Sequence, residues 1–148
     1  MAVIRPVTPG DREAYLALTK RFYETDAVLI HADDAAREAS FRELMRSGDY
    51  MECFLIEEGD VPGGYALMAK TFSQEAGGRV LWLEELFILP EFRGRGLGGR
   101  LLSFLLDRYG DAFRRIRLEI EPENEGAIRL YERYGFTRFP YDQMKRDL

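Results

Sequence analysis

The chain is poor in the residue types that most often announce a mechanism by themselves. It has one cysteine, Cys53, one histidine, His31, and one tryptophan, Trp82. A single cysteine excludes an internal disulfide and suits a reducing compartment. Cys53 lies inside the apolar run Met51 to Ile56 and reads as a packed thiol rather than a nucleophile. No window holds the roughly 18 uninterrupted apolar residues that a membrane helix needs. The opening residues MAVIRPV lack the basic-then-apolar pattern of a secretion signal, so a cytoplasmic protein with no membrane partner is expected. Basic residues are also in deficit, with 21 Lys and Arg against 26 Asp and Glu and a net charge of −5. Nucleic-acid binding needs a basic face, and this balance argues against it.

What is present points to one ordinary α/β domain over 1–148, with 46% hydrophobic and 32% charged residues. Val3 to Val7 alternates as a short strand. Thr8-Pro9-Gly10-Asp11 then carries a capping residue, a first-turn proline and an acid three positions on. Tyr15, Leu18 and Phe22 form the core stripe of a helix running to Tyr23. Residues 24–33 read as a loop, and Asp33 or Asp34 caps a second helix with Phe41, Leu44 and Met45 inward. Met51 to Glu57 and Val61 to Thr71 flank Glu58-Gly59-Asp60 as a hairpin. After the polar turn Phe72 to Gly78, Arg79 to Leu89 is apolar at both parities, which predicts a central strand buried on both faces.

That strand interrupts itself with Glu84 and Glu85, stops at Pro90, and opens into Arg93-Gly94-Arg95-Gly96-Leu97-Gly98-Gly99-Arg100. A helix follows, with Leu97, Leu101, Phe104 and Leu105 on its buried face, ending at Gly110. Strand, glycine-rich turn and helix in this order deliver bare backbone N–H groups and cationic side chains to a helix N-terminus, a natural phosphate site. Ile116 to Ile120 alternates as a further strand. Asn124 caps a helix striped by Ala127, Leu130, Tyr131 and Tyr134 and closed by Gly135. Phe136 to Phe139 and Tyr141 to Met144 read as terminal strands, with a bend at Pro140.

Arg93-x-x-Gly96-x-Gly98 after a strand, the LWLEELFILP run before it, Asn124, Tyr131 and Tyr134-Gly135-Phe136 together resemble the GNAT superfamily of N-acetyltransferases. The resemblance is strongest from residue 80 to 137 and holds in outline before that. It implies a mixed central sheet of about six to seven strands flanked by four helices and splayed between the fourth and fifth strands. It also implies acetyl-CoA as cosubstrate, with no metal. The coenzyme pyrophosphate would lie on Arg93, Gly94, Arg95, Gly96, Leu97, Gly98, Gly99 and Arg100. The pantetheine arm would pair with backbone groups of Leu86, Phe87 and Ile88 and meet Asn124 and Tyr131.

Acyl transfer from a thioester to an amine needs a proton taken from the ammonium, a stabilised carbonyl oxygen and a proton given to the leaving sulfur. A carboxylate inside an apolar strand gains proton affinity by burial, so Glu84 or Glu85 is the candidate base. Alternation along a strand directs only one of the two into the cleft, and the resemblance favours Glu84. The alternative for both is pairing with surface arginines or lying at a solvated splay of the sheet. Tyr131 is the candidate general acid; otherwise it is a core aromatic. By the same resemblance the loop of His31, Asp33 and Asp34 lines the acceptor side, although loop and cap roles also account for these three; the candidate substrate contacts are Glu84, Glu85 and His31. The expected reaction is direct attack by a primary amine, a small molecule first and a protein or peptide amine as the alternative. A non-catalytic acyl-CoA-binding domain is the other reading. A nucleotide-binding module is excluded because the turn has no Gly-Lys-Ser/Thr ending. The terminal strands offer edges on which a homodimer would pair.

Overall fold

A computed structural model describes residues 1–148. The chain runs β1 (Ala2–Pro6), a short 3-10 turn at Pro9–Asp11, α1 (Arg12–Tyr23), α2 (Asp34–Arg46), β2 (Met51–Glu58), β3 (Val61–Ser73) and β4 (Gly78–Ile88). A second 3-10 turn at Pro90–Phe92, α3 (Leu97–Tyr109), β5 (Arg115–Leu118) and α4 (Glu125–Arg133) complete it. The sheet has five strands in sequence order. β1 to β4 pair antiparallel and β5 joins β4 in parallel.

Two apolar layers cover the sheet. On one face Tyr15, Leu18 and Phe22 of α1 and Phe41 of α2 pack on Leu55, Tyr65, Leu67 and Phe87. On the other, Leu97, Leu101, Leu102, Leu105 and Tyr109 of α3 pack on Phe54, Ile56, Met68, Leu81 and Leu83. Each fully buried leucine of this kind contributes about 1.5–3 kcal/mol. Leu130 and Tyr131 of α4, with Tyr134 just past its end, lean on the α3 layer. The capping signals hold: Asp33 accepts from Ala36 N at 2.8 Å and Asn124 from Ala127 N at 3.3 Å.

Two features position the site. The β3–β4 register slips between Leu67 and Met68, which face Glu85 and Leu83 respectively. Glu84 is therefore the extra residue of a β-bulge. In addition, β4–β5 pairing runs from Val80↔Arg115 to Leu83↔Leu118 and then stops, so the strands part at the bulge. The expected splay between the fourth and fifth strands is present.

The strand count is a correction, because the sheet has five strands rather than six or seven. Neither Phe136 to Phe139 nor Tyr141 to Met144 forms a strand. Each run is four residues long, and Pro140 between them has no N–H for a ladder. Side chains hold this segment instead. Arg117 lies over the Phe139 ring at 4.5 Å, Tyr141 Oη donates to Glu75 at 3.3 Å, and Gln143 Nε2 donates to Glu119 at 2.9 Å.

Candidate active site

Pro90 ends β4, and the chain turns through Arg93 to Gly96 into α3. Gly94 and Gly96 have φ of 77° and 73°, the left-handed region that glycine enters without strain. No heavy atom lies within 4 Å of where a Cβ would stand on either residue, so the loop presents open backbone. Gly96 accepts the first bond of α3 from Arg100 N at 3.1 Å. The N–H groups of Leu97, Gly98 and Gly99 are thereby left without helical acceptors, at the positive end of the helix dipole.

A cleft of about 390 Å³ opens here. Of the predicted donor-site residues it gathers Ile88, Arg93, Gly94, Gly96, Leu97, Gly98 and Gly99. Arg95 and Arg100 are turned away from it. Arg95 pairs with Glu58 at 2.9 Å, and Arg100 donates to the Ala2 carbonyl at 3.1 Å. Their place on the cleft wall is taken by residues that sequence reasoning missed, chiefly Arg133, Tyr134 and Gly126 from the α4 side. A Cβ on Gly99 would stand 2.7 Å from Tyr134 Oη, so glycine here lets α4 close against α3. Tyr134 packs on the α3 core, as its place on the α4 stripe predicts, and it also faces the cleft. Arg133 had no signal beyond its charge.

The gap between β4 and β5 leads away from this cleft. Leu89 N donates to Gly63 O at 2.8 Å, which sets the phase of the β3–β4 ladder. In an antiparallel ladder alternate residues bond to the partner, so Glu85 and Phe87 turn their backbone groups to β3 while Leu86 and Ile88 turn theirs into the gap. Arg93 Nε donates to the Ile88 carbonyl at 3.0 Å on that side.

The bulge also changes where the two glutamates point. Leu83 and Leu86 both pack in the α3 layer, three positions apart. Alternation alone would put them on opposite faces. The extra residue resets the phase and leaves both Glu84 and Glu85 toward the α1 side, contrary to the expectation of one per face. Glu84 is solvent-exposed in the gap. Nearby protein nonetheless withdraws water from its carboxyl, and this desolvation, followed by the charges of Glu119 and Glu85, raises its pKa. Glu85 is buried at 9% exposure. Its oxygens accept from Tyr23 Oη and Tyr65 Oη, each at 2.5 Å. Desolvation pushes its pKa up, while the two hydroxyls and Arg37 pull the other way.

Tyr131 packs against Phe136 with ring centroids 5.6 Å apart. Burial raises its hydroxyl to about 12, so it is protonated throughout the neutral range. Asn124 spends its carbonyl oxygen on the cap of α4. His31 is exposed, its ring 6.4 Å from that of Tyr23, which places it on the Glu85 side of the gap.

A sheet opened by a bulge, with a glycine turn and helix N-terminus at one end and a carboxylate at the other, defines the class. The Acetyltransferase (GNAT) family matches residues 14–136, and the chain belongs to this family. It is 36% identical over 132 residues to the mycothiol acetyltransferase of Thermobispora bispora, covering 88% of this chain and 39% of that one. It is 37% identical over 91 residues to the spermine/spermidine N(1)-acetyltransferase of Bacillus subtilis strain 168, covering 59% of each. The chain thus spans less than two thirds of the length of these relatives. Among solved structures, aminoglycoside N-acetyltransferase AAC(6')-Iy with a CoA-based bisubstrate analog superposes with a TM-score of 0.81 at 24% identity, covering 100% of this chain and 99% of that one. This likeness is one of fold.

Proposed function

We propose that the protein is an N-acetyltransferase that moves an acetyl group from acetyl-CoA to a primary amine by direct attack. The observation that carries the reading is the bulge at Glu84. It parts β4 from β5, exposes the inner backbone edge of β4, and sets a carboxylate of raised proton affinity in the same opening. The residues present suit coenzyme A. The free N–H groups of Leu97 to Gly99 and the Arg93 and Arg133 guanidiniums suit a pyrophosphate and a further phosphate. The edge formed by Leu86 and Ile88 suits an extended amide-bearing arm, which would add to the sheet as a strand does.

Acetyl-CoA supplies the activated acyl group as a thioester, and the protein's residues do the rest. Glu84 accepts the proton that an alkylammonium must lose, since such amines have pKa values near 10.4. A backbone N–H of the Leu86–Ile88 edge donates to the carbonyl oxygen as negative charge develops on it. Tyr131 gives its phenolic proton to the departing sulfur. The relative named as a spermine/spermidine N(1)-acetyltransferase supports an amine acceptor. An acidic chain with Glu84, Glu85 and Glu119 around the gap favours a cationic, small-molecule amine.

Glu84→Gln keeps the shape and removes the base. Amine-dependent release of free thiol from acetyl-CoA should fall about 10²–10⁴-fold, while calorimetric affinity for coenzyme A is unchanged. Equal turnover by wild type and variant would remove Glu84 from the mechanism.

A further inference from the structure

The proposed mechanism uses Glu84 and leaves Glu85 unexplained, although Glu85 is the more unusual residue. A buried carboxylate is expensive, and a second carboxylate on the adjacent position facing the same side adds to the cost. The structure nevertheless gives this one two tyrosine donors, which pull its pKa down against the larger effect of burial. Tyr65 comes from β3 and is fully buried; Tyr23 comes from the last turn of α1. Each donates its hydroxyl to a different oxygen of Glu85, at 2.5 Å. A carboxylate that accepts two hydroxyl donors is an acceptor only, so the clamp fits the charged form.

We propose that Glu85 is a positioning residue for the acyl transfer: clamped by Tyr23 and Tyr65, it fixes the bulge that aims Glu84 into the gap and sets a second carboxylate behind it. The proposal rests on the acyl-transfer reading of the gap. The bulge is where the strand has lost a ladder partner and is most free to slip. A side chain tied to both β3 and α1 at the next residue removes that freedom.

Other charged and titratable groups facing Glu85 are Arg37 of α2, Tyr15 of α1 and Cys53 of β2. Arg37 is buried and already engaged with the Leu16 carbonyl at 2.7 Å and with Asp34, so it tempers the charge of Glu85 without pairing with it. Glu84 faces Glu119, from the end of β5, besides Glu85, and it also acts on Tyr23. Two like charges beside Glu84 favour its protonated form, which gives it the affinity a base for ammonium needs.

The test follows the side-chain carboxyl resonances of Glu84 and Glu85 against pH by carbon-13 NMR, in the free protein. Wild type, Glu85→Gln, Glu85→Asp and Tyr65→Phe are compared, with Glu84→Gln giving the assignment. Glu85→Gln should lower the Glu84 midpoint by about one pH unit, the size expected for removing an adjacent charge. The acidic limb of kcat/KM for the amine should move by the same amount. Glu85→Asp, which restores the charge, should return the Glu84 midpoint to near its wild-type position. Tyr65→Phe should raise the Glu85 midpoint, and this arm decides the matter if Glu85→Gln does not fold. An unchanged Glu84 midpoint in Glu85→Gln, or an unchanged Glu85 midpoint in Tyr65→Phe, would overturn the proposal. Coupled midpoints in a wild-type protein that releases no thiol with any amine would instead sink the acyl-transfer reading and leave the clamp as architecture.

Discussion

Single side chains divide the site between donor and acceptor. Tyr131 has its phenol buried on the α3 layer and raised to about 12 by that burial alone. A phenol of this kind stays protonated across the working range and is available to a thiolate. Tyr131→Phe removes only the hydroxyl. Its kcat should fall roughly 10²-fold, in the range of general-acid effects, with coenzyme affinity by calorimetry intact. A variant as active as wild type would return Tyr131 to the core. No loss of kcat from ionisation of Tyr131 is expected below pH about 11, because a raised pKa keeps the acid form present until pH approaches it.

At the scale of elements, the ties between them decide where the gap opens. Asp11 joins β1 to the start of α1. It accepts from both Arg5 terminal nitrogens at 2.7 and 2.8 Å and from Thr8 N at 2.7 Å. The Arg5 bond, followed by those of Thr8, holds its pKa well below the usual carboxylate range against the opposing effect of burial. A depressed folded-state pKa gives stability that is present above the unfolded value of about 3.9 and lost as pH falls through the folded one. Thermal midpoints should therefore favour wild type over Asp11→Asn by about 1 kcal/mol at pH 7, a figure discounted because Arg5 is partly solvent-exposed. The advantage should shrink steadily below pH 4. A pH-independent difference would contradict this account.

Elements with strong local signals were legible in the sequence. The Tyr15, Leu18, Phe22 stripe, the caps at Asp33 and Asn124, and the glycine turn all depend on neighbours close in the chain. The family resemblance implies a bulge in this strand, but its place at Glu84 was not legible in the residues, because it depends on which β3 residue pairs with it, and two adjacent glutamates look the same with or without a slip. The clamp on Glu85 joins residues 20 and 62 positions apart, a separation that no periodicity reports. The terminal segment alternates well enough to suggest strands, but side-chain contacts to Arg117, Glu75 and Glu119 hold it where a backbone ladder was expected.

For the whole molecule, charge sets the terms of binding. A net charge of −5 repels an anionic coenzyme and attracts a cationic amine. On the proposed function, donor binding would lean on the local cations, and with Arg95 and Arg100 occupied elsewhere these are Arg93 and Arg133. Arg133→Ala should weaken coenzyme A binding about 5–10-fold and reduce its dependence on ionic strength. Calorimetry at low and high salt checks both, and an affinity indifferent to the substitution would take Arg133 out of the donor site.

The measurement closest to the central claim is the product itself. Purified protein is incubated with acetyl-CoA and a panel of small primary amines, polyamines among them, and the amines are weighed by mass spectrometry. The account predicts an amine that gains one acetyl group in step with free thiol, faster as pH rises through the raised pKa of Glu84. Tight coenzyme binding with no acetylated amine at any pH would contradict it, and would make the fold a carrier of acyl-CoA instead of a catalyst.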